Sequence, residues 1–153
     1  VMDISKEENC KKLYEENKDI DILINNAGFG DCGHFEETSL DKDIQMIHTN
    51  IIAYHILTKL YLKEMIKKDS GKILNVASIA GFMPGPLMAT YYSTKSYIVR
   101  LSESIREELS FNFASSISIL SSSTSSSLLS FISMLLSVKN SNKFSISLSD
   151  KSK

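Results

Sequence analysis

The chain has 153 residues, a length that suits a single domain with a hydrophobic core. Its formal net charge is −1, which excludes a strongly basic surface that attracts nucleic acid or an acidic membrane. Two cysteines, Cys10 and Cys32, are too few for a disulfide framework or a cysteine zinc site. No apolar run reaches the roughly 18 residues of a transmembrane helix, so we expect a cytoplasmic protein without a signal peptide, membrane partner or nucleic-acid partner.

The first predicted elements are a helix and a short buried strand. Ser5 and Glu8 have the Ser-x-x-Glu spacing of a capping box, which predicts that a helix starts within residues 5–8. Residues 20–24, Ile-Asp-Ile-Leu-Ile, are rich in β-branched side chains and predict a strand. The strand stops at residues 25–28, Asn-Asn-Ala-Gly. Asn and Gly tolerate positive φ and leave backbone amides uncovered, so this loop suits a ligand, although a plain turn also uses such residues.

A long amphipathic helix is predicted from Leu40 to about Lys68, because apolar residues recur there every three or four positions. Ser39 or Thr38 is the expected cap. Asn50 lies inside this helix, beside the apolar stripe. A mid-helix Asn tends to bond backbone groups, so Asn50 marks either a local kink or an exposed polar position. The stripe consists of Ile44, Ile47, Ile51, Tyr54, Leu57 and Tyr61.

Two more strands and a third helix complete the pattern. Residues 72–77 predict a strand, and Ser78 supplies a hydroxyl where that strand ends. A Gly/Pro loop and a helix from about residue 91 to 109 follow, and apolar alternation at residues 116–120 indicates another strand. Strands separated by helix-length segments predict a parallel α/β sheet. Ligands bind at the carboxyl ends of such strands, where residues 25–28 and Ser78 lie.

Tyr91 and Lys95 are four residues apart in the third predicted helix, so they share one helix face. A neighbouring ammonium favours the ionised form of a phenol, and a phenol tuned in this way exchanges a proton with a substrate oxygen. Ser78 hydrogen-bonds the same oxygen if the loop folds back. Such pairs also occur by chance on solvated helices, so this interpretation depends on the surrounding motifs.

Four separated motifs together resemble the short-chain dehydrogenase/reductase family. The resemblance covers about residues 1–113, with 28 residues from Asn50 to Ser78 and 13 from Ser78 to Tyr91. It implies the α/β class, a three-layer Rossmann-like parallel sheet of which this chain holds the second half only, strands 4–6 and the flanking helices. It also implies NAD or NADP as cofactor. The motifs are Asn25-Asn-Ala-Gly28 after a strand, Asn50 in the next helix, Ser78 after the next strand, and Tyr91-x-x-x-Lys95.

The resemblance implies a role for each matched residue. Tyr91 is the acid/base in the interconversion of a ketone or oxoacyl group and a secondary alcohol, and Lys95 supports the phenol and holds the nicotinamide ribose. Ser78 orients the substrate oxygen, and Asn50 supports a water that leads protons from Lys95 to bulk solvent. The substrate is a small-molecule ketone or alcohol, and the protein is a homodimer or homotetramer built on the two longest helices. The cofactor-binding residues implied are Asp3, Asn25, Ala27, Gly28, Tyr91 and Lys95, with Asp3 at the adenine.

One departure from the family pattern concerns the start of the chain. Family members open with a glycine-rich turn that binds the pyrophosphate, and no such turn precedes Val1. We therefore expect a fragment of a longer enzyme. The alternative is a truncated, catalytically inactive relative that serves as a structural or oligomerisation element. The intact Tyr91, Lys95, Ser78 and Asn50 favour the enzyme.

Serine is concentrated at the C-terminal end. Residues 1–110 contain 9 serines, residues 111–153 contain 17, and residues 115–137 alone contain 12. We assign residues 1–113 to a partial Rossmann-like domain with the active-site motifs, and residues 114–153 to a serine-rich continuation of the same domain. Alternation at Ile117, Ile119 and Leu120 demands a buried strand, where each unpaired serine costs about 1–3 kcal/mol. We therefore predict other residues at several of these positions, with Pro-Gly at or near Ser122 and Ser123.

Other candidate sites are weaker. His34, His48 and His55 have no metal-ligand spacing with a third ligand, so we predict no metal site and place them on the surface or in packing positions. Met83, Met88 and residues 84–86 either line a substrate pocket, as the family's loop does, or fill gaps in the packing.

Overall fold

The computed structural model describes residues 2–111, 117–122 and 144–147. A π-helical turn, His48–Ile52, joins the second helix to the third, and a short 3-10 helix, Ile79–Phe82, follows the second strand. The helices are α1 (Glu7–Glu16), α2 (Leu40–Ile47), α3 (Ala53–Lys67) and α4 (Ala89–Phe111). The strands are β1 (Ile22–Asn25), β2 (Gly71–Val76), β3 (Ile117–Ser122) and β4 (Phe144–Ser147).

The four strands form one sheet in the order β3-β2-β1-β4. All three pairings are parallel, with Asn25 opposite Asn75 in β1 and β2, and Leu74 opposite Leu120 in β2 and β3. The predicted parallel α/β sheet is confirmed. Strand β4, which pairs with β1, was not predicted, because its four-residue Phe-Ser-Ile-Ser alternation is too short to indicate a partner strand.

One face of this sheet carries the main core. Leu23 of β1 and Ile73 of β2, which lie opposite each other, belong to one buried cluster with Leu57 and Tyr61 of α3 and Cys10 of α1. The other face carries a separate buried cluster of Ile22, Ile24 and Leu74, to which no described helix contributes. Residues 2–111, 117–122 and 144–147 thus form two layers, the sheet and the helices on one of its faces. None of the helices in these ranges forms the predicted third layer on the other face.

The predicted first helix is present, but its predicted capping box does not form. Helix α1 begins at Glu7, with Lys6 at the N-cap position and no side-chain capping bond. The Ser5 hydroxyl instead donates to Asp3 Oδ1 at 2.7 Å, and the Ser5 backbone N–H donates to the same oxygen at 3.1 Å. Because this local turn engages the Ser5 side chain, the capping box does not form.

The predicted long helix is confirmed, and so is an irregularity at Asn50. Residues 40–67 are helical throughout, with Ser39 at the N-cap position. At the π turn the Ala53 backbone N–H donates to the His48 carbonyl, five residues earlier. Such single wide turns are common at functional sites, and Asn50 lies in the middle of this one.

The structure covers only two pieces of the serine-rich region. Strand β3 confirms a strand at the predicted alternation, and Ile119 is buried within it. Ser122 is the last residue of β3, whereas Ser123 lies outside the described residues. The predicted Pro-Gly turn and the assignment of residues 114–153 to the same domain remain predictions.

Candidate active site

A cavity of about 630 Å³ lies beside the carboxyl end of β1. Its walls come from the glycine-containing loop that follows β1 and from the start of α4. Helix α4 contributes Tyr91 and Lys95 to the lining. Ligands of parallel α/β sheets bind at this end of the strands. The lining residues are Asn26, Gly28, Phe29, Gly30, Asp31, Cys32, Met88, Tyr91 and Lys95.

Tyr91 and Lys95 both line this cavity, as their spacing on one helix face predicts. Lys95 is only 6% exposed, and its Nζ lies 5.8 Å from the centroid of the Tyr91 ring. The ammonium also donates a hydrogen bond of 3.1 Å to the carbonyl oxygen of Val76, the last residue of β2. Burial lowers the pKa of Lys95 to about 8. The side chain is thus mostly charged at neutral pH, and it is held beside the phenol ring.

Asn50 ties the loop after β1 to helix α4. Its Oδ1 accepts from the Phe29 backbone N–H at 3.1 Å, and its Nδ2 donates to the Phe29 carbonyl at 2.9 Å and to Thr94 Oγ1 at 3.1 Å. The Thr94 hydroxyl donates in turn to the Tyr91 carbonyl at 2.7 Å. This chain of bonds fixes the cavity wall relative to Tyr91. The predicted water at Asn50 remains a prediction.

Gly28 and Gly30 lie so close to neighbouring side chains that neither position has room for a Cβ. A Cβ on Gly28 would lie 2.9 Å from Asn50 Oδ1 and 3.6 Å from Lys95 Nζ, and a Cβ on Gly30 would lie 3.1 Å from Tyr91 Cδ2. Neither glycine has a positive φ, so the conformational reason given by the sequence does not apply. The loop can pack this closely against Asn50 and Tyr91 because these two residues have no side chains.

A buried network of amide and hydroxyl side chains, the amide network, connects the sheet with the helices. Asn25 Nδ2 donates to Asn75 Oδ1 at 2.9 Å and to Thr58 Oγ1 at 3.1 Å, and Asn75 Nδ2 donates to Ser102 Oγ at 3.0 Å. All four side chains are at most 2% exposed. The network therefore links β1 and β2 to α3 and α4, the elements that carry the site.

Replacing Asn75 with alanine is expected to lower the free energy of unfolding by about 2–4 kcal/mol, because Asn25, Thr58 and Ser102 all lose a partner in the core. Urea denaturation of the purified chain measures the change. Asn17→Ala is the matched control, since Asn17 is exposed and its side chain donates one bond, to the Leu13 carbonyl. Equal losses in the two variants contradict the prediction.

The remaining predicted site residues lie elsewhere. Asn25 and Ala27 are buried and do not line the cavity, and the Asn25 side chain belongs to the amide network. Ser78 is half-buried, caps the 3-10 helix by accepting from the Ala80 backbone N–H at 3.2 Å, and is not among the lining residues. Asp3 is exposed and binds Ser5. The structure thus brings Tyr91, Lys95 and Gly28 together, with Asn50 directly behind them, and their proposed roles remain predictions.

Sequence reasoning did not place Phe29, Asp31 or Cys32 at the site. All three follow residues 25–28 directly and line the cavity, so their position in that loop was the available signal. Lys42 Nζ lies 2.6 Å from Asp31 Oδ1, and this hydrogen bond lowers the pKa of the Asp31 carboxyl. Met88, one of the predicted pocket residues, does line the cavity.

The described residues offer neither a metal centre nor a membrane-spanning helix. Residues 2–111, 117–122 and 144–147 contain no group of three or more side chains suited to hold a metal ion. No helix within those same ranges has the length and apolar character needed to cross a bilayer.

Comparison with known proteins gives consistent matches. The family model for short chain dehydrogenase matches residues 1–120. A 3-oxoacyl-[acyl-carrier-protein] reductase of Haemophilus influenzae is 30% identical over 113 residues, which are 71% of this chain and 47% of the reductase. The chain spans less than half the length of the curated relatives it matches.

Solved structures share the fold. A 4-hydroxyisoleucine dehydrogenase complexed with NADH and succinate aligns with a TM-score of 0.71 at 27% identity, over 78% of this chain and 58% of that one. A short-chain dehydrogenase from Sphingobium yanoikuyae in complex with NADPH aligns with a TM-score of 0.73 at 26% identity, over 80% of this chain and 48% of that one.

Proposed function

The chain belongs to the short chain dehydrogenase family, and on that premise we propose that its cavity is the active site of an NAD- or NADP-dependent oxidoreductase. The reaction is the interconversion of a ketone or oxoacyl group and a secondary alcohol. The observation that carries this proposal is the buried Lys95 ammonium, 5.8 Å from the Tyr91 ring at the cavity wall. A relative that served only as a structural element would not need a buried charge at that position.

The names of related proteins support the chemical class. The Haemophilus influenzae relative is a reductase of oxoacyl groups, and one structural neighbour is a dehydrogenase of a hydroxylated amino acid. Both names describe a carbonyl group or an alcohol as the reacting group. We therefore propose a small ketone or alcohol as the substrate of this protein.

The lining residues fit the nicotinamide-ribose end of the cofactor. Gly28 and Gly30 line the cavity without side chains, and a Cβ on either residue would crowd Asn50 or Tyr91. The Lys95 ammonium offers donors for ribose hydroxyls. Gly28 and Lys95, with Tyr91, would hold this end, and the bound nicotinamide supplies or accepts the hydride. We also propose that Asn25 and Ala27 contact the cofactor through their main chain, and Asp3 through its exposed carboxylate.

Proton transfer is the proposed task of the protein itself. In reduction the Tyr91 hydroxyl gives its proton to the carbonyl oxygen of the substrate as the hydride reaches the carbonyl carbon. The Lys95 ammonium stabilises the phenolate that remains, because opposite charges at this distance attract strongly in a buried site. Ser78 donates a hydrogen bond to the same substrate oxygen after a movement of its loop, and Asn50 supports a water that returns a proton to Lys95.

The correspondence with the family sheet supports a position in the second half of the fold. In the classic strand order 3-2-1-4-5-6, strands 4, 5 and 6 are neighbours. Strands β1, β2 and β3 of this chain are neighbours in the same sequence. We propose that they are strands 4–6 and that the protein assembles as a homodimer or homotetramer through α3 and α4.

Turnover tests the proposed function directly. The purified protein is mixed with NADH or NADPH and a panel of ketones that includes oxoacyl thioesters, and the absorbance of the reduced cofactor is followed. We expect consumption of one reduced cofactor with at least one ketone. Saturation-transfer NMR detects cofactor binding independently. A protein that neither binds nor oxidises the cofactor contradicts the proposal and favours the inactive relative.

A further inference from the structure

Tyr54 lies beside the proposed proton-transfer pair, although the sequence pattern assigned it only to the apolar stripe of the long helix. It belongs to α3, is 1% exposed, and packs with Ala77, Ile98 and Val99 in a small buried cluster. The last two residues belong to α4, one turn beyond Lys95. This packing fixes the ring of Tyr54 next to the Lys95 side chain.

The Lys95 ammonium is within cation–π distance of two tyrosine rings. Its Nζ lies 5.9 Å from the centroid of Tyr54 and 5.8 Å from the centroid of Tyr91. Both distances are inside the limit of about 6 Å for this attraction, which strengthens when the cation is shielded from water. Lys95 is 6% exposed, so the two ring faces replace part of its hydration.

Tyr54 and Lys95 also share one acceptor. Lys95 Nζ donates to the Val76 carbonyl oxygen at 3.1 Å, and the Tyr54 hydroxyl donates to the same oxygen at 3.4 Å. A carbonyl oxygen has two lone pairs and accepts both. The titratable groups beside the ammonium are Tyr54 from α3 and Tyr91 from α4. Strand β2 contributes the Val76 carbonyl. Among the described residues, no carboxylate forms an ion pair with Lys95.

We propose that Tyr54 is a positioning residue for Lys95. Its hydroxyl ties the ring to the Val76 carbonyl, and its ring face holds the ammonium beside that carbonyl, at the distance from Tyr91 that the proton transfer uses. Tyr54 acts through Lys95 and does not touch the reacting atoms. The inference rests on the proposed function for its purpose, but the contact between Tyr54 and Lys95 is tested without turnover.

Competitive acylation provides that test. Acetic anhydride labels neutral amines, and peptide mass spectrometry after labelling at several pH values gives the titration midpoint of Lys95. Tyr54→Phe keeps the ring and removes the hydroxyl. Phenylalanines with one to three ring fluorines at position 54 then weaken the negative ring face with little change of shape. We expect the midpoint to fall stepwise with fluorination, by about half to one pH unit across the series, because the charged amine loses stabilisation.

The same fluorinated series at Tyr61 is the matched control. Tyr61 is also on α3 and 1% exposed, but its ring contacts Tyr14, so the Lys95 midpoint should stay constant. Tyr54→Leu removes the ring entirely and should give a midpoint below that of Tyr54→Phe. A midpoint that is insensitive to fluorination, or that responds equally at position 61, overturns the proposal. A midpoint that falls in a protein without turnover counts against the proposed reaction and leaves the Tyr54 contact standing.

Discussion

Replacing Tyr91 with phenylalanine is expected to abolish hydride exchange with ketones while cofactor binding stays nearly unchanged. The phenol supplies the proton that the substrate oxygen receives, and general acid–base catalysis contributes roughly 10²–10⁴-fold to the rate. Phenylalanine keeps the ring that faces Gly30 and Lys95, so the cavity retains its shape. The expected change is therefore in kcat, with the Kd of the cofactor preserved.

Tyr92→Phe is the matched control for this experiment. Tyr92 is the next residue of α4, and its ring lies edge-on to Tyr91, with a centroid separation of 6.2 Å. It is not among the residues that line the cavity, so loss of its hydroxyl should leave turnover close to that of the wild type. A Tyr91→Phe variant that keeps more than about a tenth of wild-type turnover contradicts the assignment, because the proton-transfer contribution is larger than that.

The elements that sequence predicted well are those with a strong local pattern. Residues 40–67 are helical because their apolar side chains recur at helical spacing, and the parallel sheet follows from strands separated by helix-length segments. The pairing of Tyr91 with Lys95 at one cavity also needs only helical geometry. In contrast, the capping box at Ser5 failed because a competing local turn to Asp3 is not visible in the motif.

The parts of the site that sequence missed depend on contacts between distant segments. Asn25 reads as a loop residue near a ligand, yet its side chain pairs with Asn75, 50 positions away. Tyr54 reads as an ordinary core residue, yet its ring contacts Lys95 because α3 packs on α4. No local spacing specifies such pairs, since they exist only after the sheet and the helices have packed. The polar residue types were visible in the sequence, but their partners were not.

Lys95→Met should damage both cofactor affinity and rate, because one ammonium is proposed to hold the ribose and to support the phenolate. Any remaining activity should have a different pH profile, because the ammonium, whose pKa burial lowers to about 8, no longer titrates at the site. Lys59→Met is the control, because Lys59 is an exposed residue of α3. Normal cofactor affinity together with an unshifted rate profile in Lys95→Met would show that this lysine has no part in the reaction.

The same substitution should stabilise the fold at neutral pH. Burial lowers the pKa of Lys95 from 10.5 to about 8, and the folded protein pays about 3 kcal/mol to hold the charged form. Methionine removes that cost, although the bond from Lys95 to the Val76 carbonyl is lost with it. We therefore expect the free energy of unfolding at pH 7 to rise by about 1–3 kcal/mol.

The stability difference between the wild type and Lys95→Met should depend on pH, because the pKa of Lys95 differs between the folded and unfolded chains. Between pH 8 and 10.5 the unfolded chain binds the Lys95 proton and the folded chain does not, so the wild type gains stability as pH rises through this window. The advantage of Lys95→Met should therefore be full below pH 8 and disappear above 10.5. Urea denaturation of both proteins at pH 7 and at pH 10 measures the difference. A variant that is less stable than the wild type at pH 7 contradicts the view that function, and not folding, keeps a charge buried at this site.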